Sequence, residues 1–204
     1  TGTLTISGTS TFTTSQSNAD ITLGSVNVFT GAVALNTSGS TGHAVVDNDG
    51  TTALIIGVST VGGNLTLTSG AAAGIIDSGI VTVGGNLAAT TDANSGVINM
   101  GTLRVDGTVA LTTDGDGDAT VVNDAQLDLA HTPVRRNRAA TASTANIIQT
   151  RDRTLTGPCN LTATQRNNYI TLGSLNAFFR VVVFVTLGLT QHTLVAHGRM
   201  ALAM

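Results

Sequence analysis

The side chains of this chain that could take part in chemistry are few and dispersed. The densest group is Asp114-Gly115-Asp116-Gly117-Asp118, with Asn123 and Asp124 just beyond it. Calcium takes several oxygen ligands from closely spaced carboxylates and carbonyls, so Asp114, Asp116 and Asp118 are the candidate metal ligands and calcium the candidate ion. The spacing departs from the helix-loop-helix calcium motif, which needs Gly at 119 and Glu at 125, where this chain has Ala119 and Ala125. A solvated Asp/Gly turn accounts for the same residues, as it does for the smaller Asp47-Asn48-Asp49-Gly50 cluster. His43, His131, His192 and His197 are scattered, and the single Cys159 supplies neither a zinc cluster nor an intrachain disulfide. Acids fall one to a turn outside 114–118, without the close carboxylate pair of glycan hydrolysis. No nucleophile elbow, phosphate loop or dinucleotide fingerprint is present. The expectation is a protein that is not an enzyme and has no cofactor beyond the candidate calcium.

Any positioning of these residues falls to a repeat. One phrase occurs three times at a period of 22: VGGNLTLTSG from Val61, VGGNLAATTD from Val83 and VDGTVALTTD from Val105. Two further copies open the chain, around Leu4-Thr5-Ile6 and Val26-Asn27-Val28. Apolar and polar residues alternate within each arm, which is the period of a strand. Between the phrases stand short apolar pairs, Val45-Val46, Ile75-Ile76, Val97-Ile98, Val121-Val122 and Ile147-Ile148. Seven residues then lead to the next apolar anchor, as from Ile76 to Val83 and from Ile98 to Val105. Three short strands separated by Gly, Asp, Asn or Ser turns describe one triangular rung of a solenoid. The expected fold is all-β, a right-handed parallel β-helix of about nine rungs of 22–28 residues, the hand following the usual crossover of parallel strands. The rung holding Leu54-Ile55-Ile56 reads as longer than the others.

Composition agrees. The chain is 41% hydrophobic but only 3% aromatic, with 24 Gly and 36 Thr and neither Lys nor Glu, so strand and turn formers replace helix formers. The longest apolar run, around Val181–Val185, is far short of a membrane helix, so membrane insertion is not expected. No charged and apolar leader is visible, and the opening TLTISG already belongs to the repeat, so the sequence reads as a segment of a longer protein.

A longer period underlies the short one. Residues 5–29 match 154–178 at an offset of 149, and ITLGSVNVF at 21–29 becomes ITLGSLNAF at 170–178. His43 and His192 correspond at the same offset. Charge is uneven: residues 1–130 carry eleven Asp and one Arg, and residues 131–204 one Asp and eight Arg. A basic half could meet nucleic acid. However, Arg135-Arg136-Asn137-Arg138 aligns with Gly62-Gly63-Asn64-Leu65, which reads as a degraded copy, and nucleic acid is not an expected partner. The expected domains are regular rungs over 1–130, a distorted loop over 131–140, and a continuing solenoid over 141–204 that decays after 179.

With VGGNLTLTSG, VTVGGNLAATTD and ITLGSLNAF in view, the chain resembles the repeats of filamentous haemagglutinin-type exoproteins, surface adhesins exported by two-partner secretion in Gram-negative bacteria. The resemblance covers 1–130 and 141–178 and departs at 131–140 and after 179. It implies a secreted or cell-surface rod acting in adhesion, aggregation or biofilm, with a host-cell, matrix or carbohydrate surface as partner and no catalytic residues. Open ends of such a rod expose strand edges and invite end-to-end or edge self-association. Two other readings compete. One is a carbohydrate-active β-helix enzyme. The other is an ice-binding solenoid presenting a column of Thr13, Thr68, Thr90, Thr112 and Thr162.

Overall fold

The computed structural model describes residues 2–93, 95–130, 136–149, 157–172 and 182–187, and the backbone alone of 153–155, 176–178, 193–194 and 202–203. The fold is all-β, with parallel strands wound in stacked coils and, among the described residues, no helix. The coil beginning at Leu65 shows the plan. It runs through Leu65–Ser69, Ile75–Asp77 and Val81–Val83, and the next coil opens at Leu87–Thr91. Each strand lies beside its equivalent one coil on: Leu65 pairs with Leu87 and Leu87 with Val109, and Val61 with Val83 and Val83 with Val105. The 22-residue period of the sequence is therefore the length of a coil.

Alternation decides what is inside. Leu65, Leu67, Leu87, Ala89, Val109 and Leu111 are fully buried, and so are Ile75, Val81 and Val83 on the other two sides of the coil. Stacking in register places each apolar residue on the one before it, so a core a few residues wide becomes continuous along the axis. Corners are tight. A Cβ on Gly84 would stand 2.5 Å from the Gly62 carbonyl oxygen of the previous coil, and Gly74 turns with φ +71° against the Val97 carbonyl.

Steps between paired coils run from 19 residues (Ala119 to Arg138) to 24 (Asn36 to Thr60). The lower end falls below the 22–28 expected. The coil holding residues 54–61 is longest on one face, 24 residues from Asn36 to Thr60, and only 21 from Ala44 to Leu65, while Leu54–Ile56 stacks on Ile75–Asp77 as an ordinary member of its face. Seven coil steps separate the strand Ile21–Phe29 from the strand Ile170–Leu172. The face they share is ten strands deep, from Thr5–Ile6 to Thr193–Leu194.

The 149-residue period is close to seven coil steps, which carry the strand Ile21–Phe29 to the strand Ile170–Leu172. Strand register repeats with it. Thr5 pairs with Val28 and Thr154 with Ala177, while Ser10 pairs with Val33 and Cys159 with Val182.

Of the loop expected over 131–140, residues 131–135 lie outside the described residues, and Arg138–Ala142 is a regular strand, paired with Ala119–Asn123 on one side and with Cys159–Ala163 on the other. Arg138 is not the counterpart of Leu65, which belongs to a different face. Its neighbours in the stack are Ala119 and Cys159. Arg138 is 2% exposed, and burial pushes its guanidinium pKa down. Beyond 179, Val182–Leu187, Thr193–Leu194 and Leu202–Ala203 continue the stacks.

Buried polar side chains hold the corners. Asn123 accepts from the Val105 N–H at 2.8 Å and donates to the Val105 and Gln126 carbonyls at 3.0 and 3.1 Å. Asn123→Ala should lower stability by about 2–3 kcal/mol, because it strands buried backbone groups, and this is measured as the urea midpoint shift at constant slope. Arg138→Met should act in the opposite direction and raise stability by about 1–2 kcal/mol in the same assay, because a side chain of similar length replaces a desolvated charge.

Candidate functional site

The coil that follows Val109 is shorter than its predecessor. Leu87 to Val109 takes 22 residues, and Val109 to Leu129 takes 20. The shortening falls on one face. Ser59–Val61, Val81–Val83 and Leu103–Val105 stack there in register, but between Met100 and Leu103 the pairing shifts, so that Met100 faces Val121 and Leu103 faces Asn123. Asn123 then turns the chain, and the next coil places no strand over Arg104 and Val105. The step leaves an open groove of about 480 Å³ between Ile80, Thr82, Thr102 and Arg104 on one wall and Asp124 and Ser143 on the other.

Several of its groups are fixed. The Asp77 carboxylate accepts from the Gly101 N–H at 3.0 Å and from the N–H and hydroxyl of Thr102 at 2.7 and 2.8 Å, which fixes Gly101 and Thr102 beside the groove. Ser143 donates its hydroxyl to Asp124 at 3.0 Å. Arg104 is exposed and is the one cation of the first 130 residues. Ile80 is 60% exposed and adds an apolar ledge. The arrangement lines the groove with one guanidinium, one carboxylate, hydroxyls and an aliphatic surface. Sequence reading did not single out this place. Its only signal was the shortened interval between Val109 and Leu129.

Elsewhere polar side chains serve the fold. A ladder runs along one corner, each rung a backbone N–H capped by the equivalent side chain of the previous coil. Asp20 accepts from His43 N–H, His43 Nδ1 from Asn64 N–H at 2.8 Å, Asn64 from Asn86 N–H, and Asn86 from Thr108 N–H. His43 is thus a capping residue with its proton on Nε2. His131, His192 and His197 lie outside the described residues.

The candidate calcium ligands sit at a different corner. Asp114 caps the Gly115 N–H next to it, Asp118 accepts from the Asn137 N–H of the following coil at 3.1 Å, and Asp116 is exposed to solvent. Among the described residues, no three carboxylate, imidazole or thiol groups stand where they could share a metal ion.

The threonine column is shorter than the sequence suggested. Thr68, Thr90 and Thr112 stack in register, but Thr13 pairs with Asn36 and Thr162 with Thr141, in the other large sheet. Beneath Thr68 in the column stands Asp47. Its carboxyl is pushed above the usual range, first by burial and then by Asp92 and Asp49.

Comparison with known proteins adds one finding. Residues 1–36 match a family model described as repeats of unknown function (DUF5649). No curated protein and no solved structure is significantly similar to the chain.

Asp47 binds its proton more readily in the folded state, so its ionisation lowers stability as pH rises above the ordinary carboxylate range. Asp47→Asn should therefore be more stable than the parent at pH 7, and the difference should shrink to nothing as pH falls below about 4. Urea unfolding at pH 7 and pH 3.5 checks both the gain and its loss.

Proposed function

We propose that this chain is a rod segment of a secreted or cell-surface bacterial exoprotein of the filamentous haemagglutinin type, exported by two-partner secretion. Its role would be to present an adhesive or aggregating surface to host cells, matrix or carbohydrate. The observation that carries this reading is where the polar side chains go. Asp20, His43, Asn64, Asn86 and Asp118 are each committed to a backbone N–H of the next coil. They sustain a uniform stack and do not converge on a reacting atom. The repeat match at 1–36 fits a protein built by reiteration. Contact spread over many coils suits adhesion, where each coil adds a small and similar increment.

The groove at Arg104 and Asp124 favours a second reading, a carbohydrate-active β-helix. One experiment separates the two. Beads coated with the chain should adhere to cultured epithelial cells or matrix at several times the level of blank beads. Deleting residues 66–87 removes one 22-residue coil while keeping register, since Leu65 and Leu87 are equivalent. Adhesion should then fall by no more than a small fraction, and Asp124→Asn should leave it unchanged. Absence of adhesion above blank would overturn the adhesive role. Release of new reducing or unsaturated ends from acidic polysaccharides, abolished by Asp124→Asn, would establish the second reading instead.

A further inference from the structure

In the groove beside Arg104 the backbone hydrogen bonds are complete and the charges are not. The step above Leu103–Val105 is closed to an added strand. Asn123 accepts from the Val105 N–H and donates to the Val105 carbonyl, and the Asp124 N–H donates to the Leu103 carbonyl at 2.7 Å. Side chains therefore decide what the groove can hold.

Two of them carry opposite charges that do not meet. Arg104 and Asp124 both line the groove and both are exposed. Among the described residues, nothing pairs with the Arg104 guanidinium. The Asp124 carboxylate receives one side-chain hydrogen bond, from Ser143 to its Oδ1 at 3.0 Å. Asp77 differs, because both of its oxygens already accept from Gly101 and Thr102. The surroundings also constrain the ligand. Residues 1–130 carry eleven Asp against the single Arg104. A long polyanion reaching past Arg104 meets those carboxylates within the Debye length of about 8–10 Å. A simple cation meets Arg104 as a like charge. A ligand carrying one charge of each sign satisfies both walls and meets no net repulsion.

We propose that the groove is a binding site for short zwitterionic peptides. The terminal carboxylate of the peptide takes the Arg104 guanidinium, whose planar fork suits two parallel hydrogen bonds. The terminal ammonium donates to Asp124. An aliphatic side chain between the two ends rests on Ile80 and Val122, and the Thr82 hydroxyl faces the peptide groups. The volume of about 480 Å³ lies within the range of small-ligand sites and accommodates a dipeptide or tripeptide. The proposal is independent of adhesion and competes with a carbohydrate ligand for the same groove.

The test titrates the whole protein with the tripeptide Ala-Leu-Ala in a calorimeter. Saturable one-to-one binding is expected. Acetylating the peptide's amino end and amidating its carboxyl end should each weaken binding at least about tenfold, as the loss of a charge-assisted hydrogen bond does. Arg104→Gln should weaken the free peptide and remove the effect of amidation, while acetylation still weakens binding. Asp124→Asn should do the reverse. This crossed pattern reports direct pairing and does not arise from a general loss of structure. Both side chains are exposed, so the two variants should keep the parent's urea midpoint. Absence of saturable binding, equal binding of the blocked peptides, or loss of both sensitivities in one variant would overturn the proposal. So would tighter binding of trigalacturonic acid or cellotriose than of Ala-Leu-Ala, since the groove would then belong to a carbohydrate.

Discussion

Every part of this structure depends on one constraint: each residue lies at strand spacing, roughly 4.8 Å, from its own equivalent in the next coil. Backbone hydrogen bonds run along the axis between coils, so no coil completes its bonding alone. The constraint selects residues that stack well on copies of themselves. Val, Leu and Ile do so inside, where Leu65, Leu87 and Val109 form one buried column. Glycine does so at corners such as Gly62 and Gly84, where a side chain would strike the carbonyl of the preceding coil. A charge stacks badly on a like charge, which fits a composition with only 10% charged residues.

The same constraint governs the polar groups. Corner N–H groups that leave the strand ladder still need acceptors, and the nearest available atoms belong to the coil beneath. Asp20, His43, Asn64 and Asn86 meet that need from outside. Inside, Asn27 and Asn48 turn inward at an equivalent corner and bond to buried backbone, and the column continues upward as Ser69, Thr91 and Thr113. Among the described residues, no three carboxylate, imidazole or thiol groups stand where they could share a metal ion.

Irregularity has local causes. Two residues fewer in the coil after Val109 remove one strand from one face, and the gap becomes the groove beside Arg104. An arginine can occupy the core position at 138 because its stack neighbours, Ala119 and Cys159, are small. Burial pushes the guanidinium pKa down, yet the strand it opens is paired on both sides. Local charge does not override a ladder bonded on both sides.

The sequence by itself determined the architecture. The 22-residue spacing of Val61, Val83 and Val105, the two-residue alternation within each arm and the Gly-Asn corners are local patterns, and a repeating fold converts local pattern directly into position. The 149-residue period was legible for the same reason, and is close to seven coil steps. Tertiary structure alone decided which repeats share a face. Alignment set Arg138 against Leu65 and put Thr13 and Thr162 in one column with Thr68. Similar phrases recur on more than one side of a coil, and only the pairing tells the sides apart. The groove was hidden too, because Ile80, Arg104, Asp124 and Ser143 come from four successive coils and meet only through the loss of a strand between them. The capping role of His43 needed the stack as well, since its bond runs to Asn64, 21 residues away.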